Sequence, residues 1–315
     1  MTSPAPIDIS VVIACLNEAD NAAAIAAAVL VELRKADVSY EIIFIDNSST
    51  DGTIDIVKAL CAGDERIRLI VNNQNFGYMR SPTHAIYQAS GEAVIGMCAD
   101  FQDPPELIGE LIARWRAGTK IVLGVRESER TSPAMRLLRA VGYGFFARFG
   151  DYRVIPNATG FGLYDRAVIE VLKRWRDPEP FFRGMLVESG YSLETIAYHR
   201  PSRAAGKTKN NFRALLSFAL TGLASSSKNL LRAPIVLSMF TFLIGAIAAV
   251  WAIVAAVLGF RSWHLVFLAL GLLTVGLIFF FLGLIGEQVR LISQTIRNVP
   301  LVIEKERVNF PTSEF

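Results

Sequence analysis

The chain is 315 residues long, 52% of them apolar, with 32 Lys and Arg against 29 Asp and Glu, a formal net charge of +3. That length leaves room for about two domains, and so small a charge lacks the electrostatic footprint of a nucleic-acid binder, so nucleic acid is not an expected partner. The apolar share is high for a soluble protein, and the three cysteines (Cys15, Cys61, Cys98) are scattered without metal-ligand spacing, as free thiols of a reducing compartment would be.

Residues 1–10, MTSPAPIDIS, have neither a basic start nor an apolar core, so no signal peptide is expected. Residues 9–14, ISVVIA, are a β-branched run that predicts a buried strand, and the Ala-rich stretch 21–35 predicts a helix. A second buried strand is expected over 41–45, ending at Asp46, then a helix from about 51 to 61 with Thr50 or Asp51 as its cap. Further strands are expected over 67–71, 93–97 and 121–125, and helices near 82–89 and over 105–117. In the last of these, Pro105 falls in the first turn, where proline is tolerated. Strands alternating with helices predict an α/β fold, a mostly parallel sheet flanked by helices. Ligands of such sheets bind at the carboxyl ends of strands. Three polar clusters fall there: Asn17 and Glu18, the run Asp46, Asn47, Ser48, Ser49, and the DFQD stretch from Asp100 to Asp103. One carboxylate at a strand end is often only a helix cap; three converging clusters point to an enzyme.

Beyond residue 210 the pattern changes. Phe212, Leu215, Leu216, Ala219, Leu220 and Leu223 recur at helical spacing, opposite a polar stripe that includes Arg213, Ser217, Thr221 and Lys228. This predicts an amphipathic helix over 211–232 lying at a membrane surface. Two stretches without a charged residue follow, 233–258 (26 residues) and 263–286 (24 residues). At about 1.5 Å per residue each exceeds the roughly 30 Å hydrocarbon core, so two transmembrane helices are expected, joined through 259–262 into a hairpin. Lys228 and Arg232 precede the first stretch, Arg290, Arg297, Lys305 and Arg307 follow the second, and the link holds only Arg261, which places both long flanks in the cytoplasm. The expected organisation is a cytosolic domain over 1–210, the interfacial helix, the hairpin over 233–286 and a cytosolic C-terminal segment over 287–315.

VVIACLNEADN, EIIFIDNSSTDGT, NNQNFGYMRSPTHAIYQASGEAVIGMCADFQDPPELI, ATGFGLYDR, FFRGML and RAAGKTKNNF follow one another along the chain. In that order they resemble the family 2 glycosyltransferases of GT-A fold, in the polyisoprenyl-phosphate branch that includes dolichol-phosphate mannose synthases and bacterial undecaprenyl-phosphate glucosyltransferases with two C-terminal spans. The resemblance implies transfer of a sugar, with inversion, from a UDP- or GDP-linked donor to a polyprenyl phosphate at the cytoplasmic face of a bacterial inner membrane. By the same resemblance Asp46, with Asn17 and Glu18, would form the nucleotide-sugar pocket, and Asp100 would serve both donor and metal. Asp100 and Gln102 would hold Mg²⁺ or Mn²⁺, for which oxygen ligands suit. Asp103 would face the transferring centre. Arg126 would sit near the diphosphate or the lipid phosphate, and Arg203, Lys207 and Lys209 would receive the acceptor phosphate, with Arg136 and Arg139 as lesser candidates. The bland reading of the 203–209 run is a basic patch drawn to anionic lipid. Relatives of the two-span type assemble into oligomers, so a homo-oligomer is a further expectation.

Two departures matter. Most relatives have Asp where Cys98 stands, and a thiol is a poor ligand for hard cations. The expectation is a modified but working site, since Mg²⁺ commonly uses one or two carboxylates plus substrate phosphates. Many relatives also carry an Asp where Phe161 stands. A phosphate acceptor is already ionised near neutral pH and needs no general base, so this loss agrees with a lipid-phosphate acceptor. Asp165 reads as a helix cap. Two alternatives stand beside the leading one: transfer to another membrane lipid, and a catalytically silent membrane scaffold, which Cys98 alone favours. His84, His199 and His264 are too dispersed to predict a histidine metal site.

Overall fold

The structure, a computed structural model, describes residues 6–127, 155–177, 180–199 and 300–310, with single helical positions between 267 and 292. The expected interfacial helix, the first span and the candidates Arg136, Arg139, Arg203, Lys207 and Lys209 lie outside these residues. By its contacts the chain divides into two units: Met1–Tyr143 with Arg153–Asn211 and Asn298–Phe315, and Gly144–Tyr152 with Phe212–Arg297.

In the first unit the chain runs β1 (Ile9–Cys15), α1 (Ala19–Lys35), β2 (Tyr40–Asp46), α2 (Thr53–Gly63), β3 (Ile67–Asn72), α3 (Gly77–Gln88) and β4 (Ala93–Cys98). A 3₁₀ turn (Pro105–Leu107) leads into α4 (Ile108–Arg116), then β5 (Ile121–Arg126), β6 (Ala158–Asp165), α5 (Arg166–Arg174), α6 (Phe182–Glu188), β7 (Leu193–Tyr198) and β8 (Glu304–Val308). The eight strands of the described residues form one sheet in the order β7-β5-β6-β4-β1-β2-β3-β8. Pairings β1/β2, β1/β4, β2/β3 and β5/β7 are parallel, while β6 runs antiparallel to both β4 and β5, and β8 to β3. The mostly parallel reading holds. Its antiparallel members are strands that the alternation of strand and helix did not reveal.

β1 and β2 are buried on both faces, so they read as continuous apolar runs rather than alternating ones. One face packs on α1, α2 and α4 through Ile9, Val11, Ile13, Ile25, Val29, Leu33, Val57 and Leu111. The other packs on α3, α5 and α6 through Val12, Ile43, Ile45, Ile86, Val168, Leu172 and Leu186. The buried positions of α1, among them Ala22, Ile25, Ala26, Val29 and Leu33, recur every three or four residues, as one helical face requires.

At the far end of the sheet from the β1 and β2 carboxyl termini, Glu41 is fully buried. Its Oε1 accepts from the Ser10 hydroxyl at 2.5 Å, the Ser90 amide at 2.7 Å and the Ser90 hydroxyl at 2.8 Å, and its Oε2 pairs with Arg68. A buried carboxylate is tolerable only with such partners. The helix expected from 82 begins at Gly77 instead, with Pro82 inside it. Its start is set by Asn75, two residues ahead of Gly77, which Asn47 of another loop holds in place, as described below.

β8 completes the sheet edge from the end of the chain. Leu69 pairs with Val308 and Ile70 with Arg307. Side chains fasten it: His84 to Glu304 at 2.5 Å, Lys58 to Glu306 at 2.7 Å, and Asn309 Nδ2 donating to the carbonyls of Cys61 and Ile67 at 2.7 and 2.8 Å. Just before β8, Arg80 donates to the carbonyls of Leu301 and Pro300.

In the second unit the described positions between 267 and 292 are all α-helical. Ile278, Leu282, Ile285, Val289 and Ile292 are exposed there and repeat at spacings of four and three, one face of a helix. Among the described residues no helix is long and apolar enough to cross a membrane.

Candidate active site

β1 has β2 on one side and β4 on the other, so the chain reverses its order of winding there, and the crevice beyond the carboxyl ends is the place for a ligand. Register brings the strand ends level: Cys15 lies beside Asp46 and Ala14 beside Cys98. The loops carrying Asn17 and Glu18, Asp46, and Asp100 to Asp103 therefore leave one end of three adjacent strands.

The first two loops are tied to each other. Asn17 and Ser48 both take the left-handed backbone region, with φ of 58° and 68°. Asp46 is fully buried; its Oδ1 accepts from the Ser49 amide at 2.8 Å and its Oδ2 from the Ser49 hydroxyl at 2.5 Å. Ser49 Oγ in turn accepts from the Asn17 amide at 2.8 Å, and Asn17 Oδ1 accepts from the Thr50 amide at 2.8 Å. The Glu18 amide donates to Thr53 Oγ1 at 2.8 Å, and Glu18 Oε2 accepts from Asn21 at 2.6 Å. Asp51 acts at the entrance of α2 by accepting from the Thr53 amide at 3.0 Å. Burial works to raise its pKa, but the Thr53 and Ala19 bonds prevail and hold the carboxyl below its usual range. Cys15 sits beneath this loop, its thiol pushed well up by burial first and then by the charges of Asp46 and Glu18, so it is a neutral packing group.

Asn47 extends the network to the start of α3. Its Oδ1 accepts from Asn72 at 3.2 Å and from the Phe76 amide at 2.9 Å, and its Nδ2 donates to Asn75 at 2.8 Å. Asn75 Oδ1 also accepts from the Gly77 amide at 2.8 Å, which starts the helix. The wall of the crevice thus rests on four side chains, Asn47, Asn72, Asn75 and Ser81, of which the last accepts from Asn72 at 2.9 Å.

At the end of β4, Cys98 is an exposed thiol. Asp100 is 4% exposed, and its Oδ1 accepts from the Gln102 amide at 3.2 Å across Phe101, which has a φ of 58°. Asp103 is also 4% exposed. Its Oδ2 accepts from the Cys98 amide at 3.0 Å and its Oδ1 from the Tyr198 hydroxyl at 3.2 Å. These bonds fold the loop back on its own strand.

β6 runs past β4, so residues 158–160 reach the same end of the sheet as Cys98. Arg126 ends β5 half-buried, its amide donating to the Asn157 carbonyl at 3.2 Å. It stands one strand away from β4, with β6 between them. Arg183, in α6, lies over Gly160 and donates to the Ala158 carbonyl at 2.5 Å. Gly160 has a φ of 91°, a conformation that suits glycine. Burial raises the Tyr164 phenol and the Asp103 charge adds to that, while the Arg183 guanidinium opposes both. Tyr78, at the start of α3, is likewise raised by burial and opposed by Arg183. Arg183 therefore presents positive charge between the start of α3 and the end of β4.

The Asp100 carboxylate and the Gln102 side-chain carbonyl are oxygen ligands in one loop, a chemistry suited to Mg²⁺ or Mn²⁺. Among the described residues no three His, Cys, Asp or Glu side chains gather to hold an ion. The loop's two oxygen side chains fit a divalent cation as a partial ligand set only. Asn17, Glu18, Asp46, Asp100, Gln102 and Asp103 are brought to one end of the sheet. Asn47 belongs to the second of the polar clusters expected at the strand ends; Asn72, Asn75, Tyr198 and Arg183 were not singled out in the sequence. Only the asparagine-rich run NNQNFG and the arginine in FFRGML could have hinted at three of them, Asn72, Asn75 and Arg183; Tyr198 carries no local signal.

Residues 10–172 match the family model described as glycosyl transferase family 2. A glycosyltransferase of Synechocystis sp., itself described as uncharacterized, is 33% identical over 222 residues, 70% of each chain. The bactoprenol glucosyl transferase of Shigella phage SfV is 32% identical over 226 residues, 71% of this chain and 72% of that one. A prophage bactoprenol glucosyl transferase homolog of Escherichia coli (strain K12) is 30% identical over 230 residues, 72% and 74% of the two chains.

Proposed function

The chain belongs to glycosyl transferase family 2 and is a glycosyltransferase of α/β, GT-A architecture, and from that premise we propose that it moves a sugar from a nucleotide sugar to a polyprenyl phosphate at a membrane face. The observation that carries this reading is the convergence of the Asp46 loop and the Asp100 loop at the carboxyl ends of β2 and β4, on either side of β1. The acceptor is inferred from the relatives named for bactoprenol.

In this reading Asp46, with Asn17 and Glu18, shapes the nucleoside pocket through the Ser49 bonds. A divalent cation, Mg²⁺ or Mn²⁺, would be held by Asp100 and Gln102 with the diphosphate, and when bound it supplies positive charge for the leaving group. Arg183 and Arg126 add cationic charge from the side of α6 and β5, where guanidinium groups suit phosphate oxygens. A phosphate oxygen of the acceptor attacks the anomeric carbon as the bond to the nucleoside diphosphate breaks, inverting that carbon. No proton has to leave the acceptor. In keeping with this, Phe161 is 1% exposed and packs edge-on against Tyr198 at 5.7 Å, with no carboxylate in its place. Asp165 is occupied as the cap of α5, accepting from the Ala167 amide, Trp115 and Lys120.

The membrane location is supported by the charge-free stretches 233–258 and 263–286 and by the exposed apolar face from Ile278 to Ile292. Arg203, Lys207 and Lys209, just ahead of the expected interfacial helix, are placed in this reading where a lipid phosphate would arrive.

The test is a transfer assay with the full chain, undecaprenyl phosphate and a panel of UDP- and GDP-sugars, with Mg²⁺ or Mn²⁺ and with EDTA. Cation-dependent formation of a lipid-phosphate sugar is expected. Activity that survives EDTA would overturn the metal assignment. Nucleotide-sugar binding without product would favour another lipid acceptor or the silent scaffold.

A further inference from the structure

Cys98 ends the ladder of β4 with β1, and the Ala99 amide donates to the Ala14 carbonyl at 3.1 Å; from there to Asp103 the loop has no helix or strand pairing. Further support comes from across the sheet. Tyr198, the last residue of β7, is 5% exposed and donates to Asp103 Oδ1 at 3.2 Å. The Thr159 hydroxyl lies 3.0 Å from the Tyr198 oxygen; with the phenol proton given to Asp103, Thr159 is the donor in that pair. The other Asp103 oxygen accepts the Cys98 amide. A continuous chain of bonds therefore runs Thr159, Tyr198, Asp103, Cys98, from β6 and β7 to the end of β4.

The sequence makes room for this chain at one place. A Cβ at Gly124 would fall 2.8 Å from Phe161 Cδ1 and 2.9 Å from Tyr198 Cε1, inside any real contact distance. Glycine at 124 lets the two rings, edge-to-face at 5.7 Å, lie against β5, which brings the phenol within reach of Asp103. Packing fixes the ring, and hydrogen bonds in series polarise one another in a poorly solvated setting.

We propose that Tyr198 is a positioning residue: through Asp103 it holds the Asp100–Gln102 loop in its cation-binding shape before any ligand arrives. This rests on the reading of that loop as the cation site. It assigns Asp103 the work of a brace, with Asp100 and Gln102 left to meet the ligand.

The experiment uses the full-length protein and Tyr198→Phe, which keeps the ring in the space beside Gly124 and removes only the hydroxyl. Hydrogen exchange of the 97–103 peptide is measured without cation or nucleotide, and Mn²⁺ binding is measured by electron paramagnetic resonance with UDP present. The expected result is exchange faster by about threefold to tenfold in that peptide and a Mn²⁺ half-saturation raised by a similar factor, the size of one lost hydrogen bond. The melting temperature should stay close to that of the parent. Combining Tyr198→Phe with Asp103→Asn should add little to Asp103→Asn alone, because the two act through one bond. Unchanged exchange would overturn the proposal. Faster exchange with unchanged Mn²⁺ binding would also overturn it, leaving a purely structural bond. Neither readout needs sugar transfer, so failure of the proposed reaction in the parent enzyme would show separately.

Discussion

Alkylation of the full-length protein by N-ethylmaleimide should modify Cys98 far ahead of Cys15 and Cys61. The reactive species is the thiolate, so both accessibility and pKa set the rate. Cys98 is exposed, whereas Cys15 and Cys61 are 4% and 2% exposed. Burial pushes the Cys61 thiol up to about 11, which leaves it on the order of a hundredfold less thiolate at neutral pH than an ordinary cysteine. Cys15 is pushed higher still by burial and by Asp46 and Glu18. Exposure puts Cys98 ahead, and the raised Cys61 and Cys15 thiols widen the gap. Because Cys98 adjoins the Asp100 loop, saturating UDP-sugar with Mg²⁺ should slow its labelling by about tenfold, the reagent being unable to approach an occupied crevice. A time course of the three cysteine peptides by mass spectrometry reads both effects. Labelling of Cys61 within tenfold of Cys98 would refute the packing argument. Nucleotide that leaves the Cys98 rate untouched would refute the placement of the site.

Asp46→Asn replaces an oxygen that accepts from Ser49 with an NH₂ facing the same donor, so UDP affinity should fall by the equivalent of about 1–3 kcal/mol, read by calorimetry. Affinity equal to the parent's would remove Asp46 from the pocket. Glu41→Gln leaves Arg68, 16% exposed, without its buried counter-charge, and should cost about 2–4 kcal/mol, read as a clear drop in melting temperature. Bonds from His84 and Arg307 outweigh burial and hold Glu304 down at about 2 against an ordinary 4.5. A depressed carboxyl contributes stability above its unfolded pKa and loses it as pH falls towards the folded one, so β8 should loosen between about pH 4.5 and 2. Hydrogen exchange over 300–310 at several pH values checks this, and Glu304→Gln should flatten the profile.

The first three strands and α1 were legible because doubly buried parallel strands and an Ala-rich amphipathic helix each impose a local pattern. Strand ends then fixed where Asp46 and Asp100 had to lie. α3 was misjudged at its start because Asn75, which accepts from the Gly77 amide, is held in place by Asn47 from a distant loop. β8 was invisible for another reason: EKERV carries four charges in five residues and no apolar run. It is a strand because β3 offers an open edge and because His84, Lys58 and Asn309 find partners across it. Charged edge strands of this kind also discourage pairing with other chains. Tyr198 was hidden in the same way, its role depending on a cavity left by Gly124 two strands of sequence earlier.

The pairing of Leu69 with Val308 joins positions 239 residues apart. At a synthesis rate of about 5–20 residues per second, β3 leaves the ribosome roughly 12–48 s before its partner exists. Throughout that interval Leu69, Ile70 and Val71 present a bare ladder of amides and carbonyls while the apolar stretches from 233 to 286 are still being made. A nascent chain stalled before residue 304 would keep that edge open, so it is there, rather than at the loops of the candidate site, that premature termination should be most harmful and a chaperone most useful.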